Sequence, residues 1–323
     1  MSHRGAEVTE LGTQPQGFVS GYVSILGPPN AGKSTLLNTL VGSKVAIVTD
    51  KPQTTRQTLQ GVVTRSDAQV IFLDTPGIHR PASRLNQRMM QEVEESLREL
   101  DLLLLLADAS RSFGPGDALA LEWVKKAGTP AFLVLNKIDL LARKELLLPR
   151  LAHYQKLHNF QELVPVSART GENTGRLLEN IIRYLPPGPQ YFPPEHITDQ
   201  PARFLAGEII REKAIQLTRQ ELPFATAVIV DRFERTPRLL RVHAVIFVER
   251  QGQKGILIGA RGERLKKIAV QAREEIEKTF GVRVYLEVFI KVHAHWRESS
   301  SFLKGLDWHS MVGGEDAPPT GKA

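Results

Sequence analysis

Gly27-Pro28-Pro29-Asn30-Ala31-Gly32-Lys33-Ser34, followed by Thr35, is the stretch on which the fold turns. Before it runs Gly21-Tyr22-Val23-Ser24-Ile25-Leu26, whose apolar character predicts a strand, and after it Thr35-Leu36-Leu37-Asn38-Thr39-Leu40 predicts a helix. A strand that enters a glycine-rich turn and then a helix leaves several backbone N–H groups unpaired and aimed at one point. The helix dipole favours negative charge there as well. The spacing G-x-x-x-x-G-K-S therefore predicts a phosphate site. Gly27 and Gly32 allow close backbone approach, Lys33 reaches the β- and γ-phosphates, and the Ser34 hydroxyl suits a Mg²⁺ ion bridging them.

Downstream, Lys44 to Thr49 alternates like a short strand, and Pro52-Gln53-Thr54-Thr55-Arg56-Gln57-Thr58 reads as a polar switch loop. One of its threonines is suited to the metal, and Thr55 is favoured. Gln69 to Leu73 predicts a strand that ends in Asp74-Thr75-Pro76-Gly77. A carboxylate at that strand end can hold the Mg²⁺ water shell opposite Ser34, and the Gly77 N–H can bond a γ-phosphate oxygen. Ile78 follows, and a branched alkyl side chain cannot orient an attacking water, so slow unassisted turnover is expected. Asn30 has two readings, a ligand for a monovalent cation such as K⁺ or a turn residue chosen for its backbone.

Ser83 to Leu100 carries Leu85, Met89, Val93, Leu97 and Leu100 at near-helical spacing. Strands are expected at 101–108, 130–135 and 163–166, and helices at 117–126 and 174–185. Strands alternating with helices predict a doubly wound, mostly parallel sheet with ligands at the carboxyl ends of its strands. At one such end stands Asn136-Lys137-Ile138-Asp139. The Asp139 carboxylate only accepts hydrogen bonds, which matches the N1–H and 2-amino donors of guanine together, a donor pair that adenine does not offer. Asn136 can bond the base edge or tie neighbouring loops, the Lys137 stem can lie along the ring, and Ser167-Ala168 offers the Ala168 N–H to guanine O6. Lys33, Thr55, Gly77 and Asn30 are the catalytic candidates; Ser34, Thr55 and Asp74 are the metal candidates.

These strings, GPPNAGKS, TTR, DTPGI, NKID and SA, resemble the five nucleotide motifs of the translation-factor-like branch of the small GTPases. The hydrophobic Ile78 also fits members that lack the glutamine of Ras-like enzymes. The resemblance assigns Gly27 to Thr35, Asp74, Thr75, Pro76, Gly77, Ile78, Asn136, Lys137, Asp139, Ser167 and Ala168 to the nucleotide.

The 323 residues suffice for two domains, and zero cysteines exclude disulfides, thiolate catalysis and cysteine-ligated metals. No run approaches the roughly 20 apolar residues of a membrane-spanning helix. Charge is uneven: residues 201–323 hold 21 basic and 15 acidic side chains, a net +6 of the +7 total. A polyanionic partner is expected there. Five prolines between Leu185 and Pro194 predict a stiff linker. The expected division is an extension at 1–17, a GTPase domain at 18–186, the linker at 187–200, a second domain at 201–304 and a tail at 305–323.

The second domain reads α-β-β-α-α-β, with Gly259-Ala260-Arg261-Gly262 between two helices, and resembles a type II KH domain. Its glycines let a nucleic-acid backbone approach, and Ile256, Ile258 and Ile268 are expected to line an apolar groove for unstacked bases. Lys254, Arg261, Arg264, Lys266 and Lys267 supply phosphate contacts, and Gly255 belongs to the same segment. A small GTPase joined to a type II KH domain is similar to the Era family, as are KPQTTR at 51–56, EIIREK at 208–213 and VERQGQKGILIGARG at 248–262. The resemblance implies a monomeric, Mg²⁺-dependent cytoplasmic GTPase that cycles between GTP and GDP. It further implies binding to the 3′ end of 16S ribosomal RNA, help in maturing the small (30S) ribosomal subunit, and peripheral contact with the inner membrane face. The rival reading is a non-catalytic adaptor that holds guanine nucleotide and uses its second domain for protein contacts.

Overall fold

The structure is a computed structural model that describes residues 17–218 and 222–311. The polar ends, Met1 to Gln16 and Gly313 to Ala323, lie outside the described residues. The first unit is built on β1 (Val19–Leu26), fully buried along nearly its whole length and flanked by β3 (Ala68–Asp74) and β4 (Leu102–Asp108), both parallel to it. With β2 (Leu59–Thr64), β5 (Ala131–Asn136) and β6 (Glu162–Pro165) the order is β2-β3-β1-β4-β5-β6. Only β2 runs antiparallel, to β3. A central strand buried on both faces explains the unbroken apolar runs read from the sequence.

Helices cover both faces. α1 (Lys33–Val41) and α5 (Thr174–Tyr184) bury Leu36, Leu37, Leu177 and Ile181 against Val23 and Ile25. On the other face α2 (Arg84–Ser96), α3 (Pro115–Ala127) and α4 (Leu147–Leu157) pack Val93, Leu121 and Tyr154 against Leu103 and Leu105. Ser83 caps α2 by accepting from the Asn86 N–H.

Two sequence expectations change here. Residues 44–49 form no strand, because their N–H groups are taken by side chains: Asn38 Oδ1 accepts from Val45 and Ala46, each at 2.9 Å, and Glu212 accepts from Val48 at 2.8 Å. β2 and α4 were not anticipated. In β2 the glycine that weakens the strand signal, Gly61, makes room for α1; a Cβ there would lie 2.7 Å from Leu37 Cδ1.

The proline-rich segment runs along the first unit. Pro186 O accepts from Ser20 N, Ile197 O accepts from Val62 N, and Gln69 Oε1 accepts from the N–H groups of Tyr191 and Phe192. These bonds, from both the carbonyls and the N–H groups of the segment, fasten it to β1, β2 and β3.

The second unit places α6 (Ala202–Gln216) and α7 (Leu222–Ala225) before a sheet of order β7-β8-β9, with β7 (Ala227–Arg235) antiparallel and β9 (Arg283–Val292) parallel to the central β8 (Leu239–Val248). α8 (Gln251–Ile258) and α9 (Glu263–Phe280) lie between β8 and β9 in the chain. Leu205, Ile209, Ile268, Ala272 and Ile276 pack on Leu240, Val242 and Ala244 as its core. α10 (Ser300–Gly305) and Trp308 then return to the first unit, where Leu306 O accepts from Gln57 and Asp307 pairs with Arg88.

Candidate nucleotide site and nucleic-acid surface

The carboxyl ends of β1, β3, β4 and β5 open on one cleft of about 380 Å³, walled by Pro29 to Thr35, by residues 47–55, and by Gly77, Asp108 and Lys137. The turn after β1 is held tightly. Lys33 Nζ donates to Gly27 O and Pro28 O, both at 3.2 Å, and Asn30 adopts φ 63°. A Cβ on Gly27 would lie 2.4 Å from Leu106 O, and one on Gly32, at φ 99°, would lie 2.3 Å from Asn136 Nδ2. Burial pushes the Lys33 ammonium down to about 8, against the opposing charge of Asp74. A desolvated ammonium aimed into a cleft is suited to an anionic ligand.

Three oxygens converge beside it. Ser34 Oγ donates to Asp74 Oδ2 at 2.6 Å, Thr55 Oγ1 lies 2.8 Å from Ser34 Oγ, and Thr55 donates to Asp74 Oδ2 at 3.3 Å. Asp74 Oδ1 is buried and meets no hydrogen-bond donor. Desolvation raises the Asp74 carboxyl to about 6, with Lys33 and the two hydroxyls opposing. Two hydroxyls gathered on one carboxylate oxygen, with the other oxygen of that carboxylate unpartnered, make a hard-oxygen set that fits Mg²⁺. Thr55 is thus the threonine of its loop that joins this cluster, whereas Thr54 bonds Lys51 O and Thr49.

Thr75 is buried and donates to Ile25 O, which leaves Pro76 and Gly77 to turn towards Pro29; a Cβ on Gly77 would lie 2.9 Å from Pro29 Cα. Ile78 donates its N–H to Gly27 O and buries its side chain between α2 and the sheet. It faces away from the cleft.

At the other end, Asn136 takes the loop-tying role of its two readings: its Nδ2 donates to Ala31 O at 2.8 Å and its Oδ1 accepts from Ala168 N at 2.9 Å. The Ala168 N–H is thereby engaged within the protein, which departs from the expectation that it would be offered to a base. Asp139 is seated by Ser167, which donates to Oδ1 at 2.7 Å, with Arg169 Nε 3.5 Å from Oδ2. Lys137 bonds Asn30 O at 2.6 Å and Asp108 Oδ2 at 2.8 Å. Asp108 was not anticipated, although its place at the carboxyl end of β4 was a signal.

In the second unit Gly259, Arg261 and Gly262 all adopt positive φ, at 73°, 50° and 80°, so the GARG turn presents bare backbone. Arg261, Lys266 and Lys267 are exposed, Lys254 is half-buried, and Arg264 bends back to donate to Ile256 O. Gly255 and Ala260 are exposed, as is Ile256; Ile258 is half-buried. Ile268 is fully buried in the core and cannot line a groove, because its helical phase matches that of Ala272 and Ile276. β9 exposes Tyr285 and Phe289, aromatic faces the sequence reading did not count.

Comparison with known proteins follows this division. Residues 22–137 match the family described as 50S ribosome-binding GTPase, and residues 221–297 match the KH domain. The chain is 48% identical over 294 residues to the GTPase Era of Syntrophus aciditrophicus (strain SB), covering 90% of this chain and 96% of that one. It is 46% identical over 290 residues to the GTPase Era of Staphylococcus haemolyticus (strain JCSC1435), covering 90% and 97%. Among solved structures, Era in complex with MgGDPNP and nucleotides 1506–1542 of 16S ribosomal RNA superposes with a TM-score of 0.87 at 40% identity, over 90% of this chain and 99% of the other. A single-residue variant of Aquifex aeolicus Era bound to GDP·AlF4⁻ gives 0.86 at 40% identity, over the same shares. The two matched domains and the near-complete coverage lead to one conclusion: the chain belongs to the Era family of GTPases.

Proposed function

We propose that this chain binds GTP in the β1–β5 cleft, hydrolyses it to GDP and phosphate, and holds the 3′ end of 16S ribosomal RNA through its KH domain during maturation of the small ribosomal subunit. The observation that carries the reading is the cleft lined by Lys33, Ser34, Thr55 and Lys137, with Asp74 bonded behind Ser34 and Thr55 and with Asp139, seated by Ser167, two residues beyond Lys137. The 40% identical relative solved with MgGDPNP and nucleotides 1506–1542 supports both halves.

Ser34 and Thr55 would hold Mg²⁺, with Asp74 behind them, and the ion would supply positive charge to the phosphates. Lys33 and the amides of residues 30–34 bind the phosphates and stabilise charge that develops on the leaving oxygen. Asp139 selects guanine, and Ser167 keeps its carboxylate turned to the base. With Ile78 buried, no side chain at that position orders the water, which supports slow unassisted turnover. For K⁺ as a second ion, Asn30 at the cleft rim is the candidate ligand.

The loops at 50–58 and 75–90 reach the second unit: Arg56 donates to Thr226 O at 2.8 Å, Gln57 to Leu306 O at 2.6 Å and Arg88 to Leu303 O at 3.0 Å. A γ-phosphate that orders these loops therefore biases how the KH domain sits. Among the described residues no helix is long and apolar enough to cross a membrane. A cytoplasmic monomer that touches the inner membrane face peripherally is the arrangement we propose.

The test is phosphate release from GTP and from ATP, with and without a 3′-terminal 16S RNA fragment. GTP-selective release, changed by the RNA, is expected. Nucleotide binding without release would make the chain an adaptor, and equal RNA affinity with GDP and a non-hydrolysable GTP analogue would remove the coupling.

A further inference from the structure

Among the contacts between the two units, those made by one stretch of helix α6 reach the wall of the nucleotide cleft. Glu212, fully buried, accepts from the Val48 N–H at 2.8 Å and from Lys44 Nζ at 2.7 Å. Glu275 of α9 holds the same lysine at 3.0 Å. One residue earlier, Arg211 is also fully buried, and its Nη2 donates to the carbonyl of Thr54. Its guanidinium is locked by Glu208 through two parallel bonds, Nε to Oε1 at 2.7 Å and Nη2 to Oε2 at 2.6 Å. Glu212 and Arg211 therefore grip both ends of the segment 48–54, which walls the nucleotide cleft. Thr54 is covalently joined to Thr55, whose hydroxyl completes the oxygen cluster with Ser34 and Asp74.

We infer that Arg211 is a positioning residue for the GTPase centre: a guanidinium of the second unit that fixes the Thr54–Thr55 peptide and so sets Thr55 on the metal. The inference rests on the proposed GTPase reading and adds that the centre is completed from the second domain. The chemistry favours arginine. A rigid planar fork satisfies Glu208 bidentately while one N–H stays directed at a carbonyl, and the flexible point charge of lysine cannot do both. The peptide between residues 54 and 55 is planar, so a carbonyl held at Thr54 fixes the direction in which the Thr55 N–Cα bond leaves. Thr55 is the member of the oxygen cluster that a loop outside the helices and strands carries, whereas Ser34 stands on α1 and Asp74 ends β3. Arg211 thus acts on the one ligand whose place the sheet does not set.

The test uses the full chain with Arg211→Ala, Arg211→Lys and Glu208→Gln. Expected for Arg211→Ala is a kcat for GTP lower by about tenfold and a several-fold rise in the Mg²⁺ needed for half-maximal rate. GDP affinity should stay within about twofold, because a diphosphate does not need the threonine, and that affinity also reports an intact fold. Arg211→Lys should fail to rescue, and Glu208→Gln should be intermediate. A double-mutant cycle with Thr55→Ala separates action through Thr55 from a general loosening. Once Thr55 is gone, Arg211→Ala should change kcat by less than about twofold. Additive losses in the cycle, rescue by lysine, or variants with parental kcat and Mg²⁺ dependence would overturn the inference. A parent chain that releases no phosphate at all would instead overturn the GTPase reading.

Discussion

Replacing Asp139 by Asn probes the base-reading end of the cleft with one atom. In the native arrangement Ser167 Oγ–H donates to Asp139 Oδ1 at 2.7 Å, so the carboxylate turns Oδ2 and the second lone pair of Oδ1 outward. In Asp139→Asn the carbonyl oxygen keeps the serine, since an amide N–H₂ cannot accept, and the amide nitrogen takes the place of Oδ2. Arg169, mostly exposed at 3.5 Å, can swing aside. Guanine then meets a donor where its own donors point. The hydrogen bond to Oδ2 is lost and the one to the oxygen that keeps Ser167 is no longer to a charged group, roughly 2–4 kcal/mol in all. That corresponds to about 30- to 10³-fold weaker GTP and GDP. Xanthine carries a carbonyl at C2 and gains what guanine loses. The assay is competition of GDP and XDP against a fluorescent nucleotide, followed by phosphate release from GTP and XTP. Asp139→Asn that binds GDP within about threefold of the parent, with no gain for XDP, would refute the base-reading role and the part given to Ser167.

Gly32→Ala places a Cβ 2.3 Å from Asn136 Nδ2 on a backbone at φ 99°, so displacement of the bond to Ala31 O and loss of nucleotide binding by at least about tenfold are expected in a filter-binding assay. Burial raises the Asp74 carboxyl from 3.8 to about 6, so the native state holds that proton more tightly than the unfolded chain. This group's contribution to nucleotide-free stability therefore falls as pH rises from about 4 through 6, by roughly 2–3 kcal/mol. Mg²⁺ competes with the same proton. Its apparent affinity in the nucleotide complex should drop up to about tenfold for each pH unit below 6, read by Mg²⁺ titration of hydrolysis. Lys266→Gln with Lys267→Gln removes two exposed cations from the start of α9. The slope of log RNA affinity against log salt should become shallower by about 1.4 for a single strand, and an unchanged slope would place the RNA elsewhere. Trp296→Ala empties a fully buried ring that Arg56 overlies at 5.4 Å and whose Nε1 donates to Ala225 O; a loss of roughly 3–5 kcal/mol is expected in chemical denaturation.

Much of this was legible in the chain because the signals are local. Alternation of strand and helix, the glycine spacing after β1, and Asp74 and Asp139 at strand ends depend on neighbours in sequence. What escaped depends on contacts distant in sequence. Residues 44–49 carry a strand pattern, yet their N–H groups find Asn38 and, 164 residues away, Glu212. Ile268 is apolar and sits beside the basic cluster, and only the phase of α9 against β8 sends it inward. β2 was hidden by Gly61, whose value lies in the side chains of α1 that pass over it.

The order of motifs in the sequence determined the kind of ligand each strand end can meet, because hydrogen-bonding capacity belongs to a side chain wherever it stands. It also determined that basic charge is concentrated in the second half. The tertiary structure alone decided which atoms are already spoken for: Asn136 ties two loops, Ala168 N–H is taken, and Arg211 of the second unit holds the carbonyl beside Thr55. The reason is that a hydrogen bond has a direction and a length of about 3 Å. No pattern in the chain states which donors and acceptors are brought within that reach until the sheets and helices have packed.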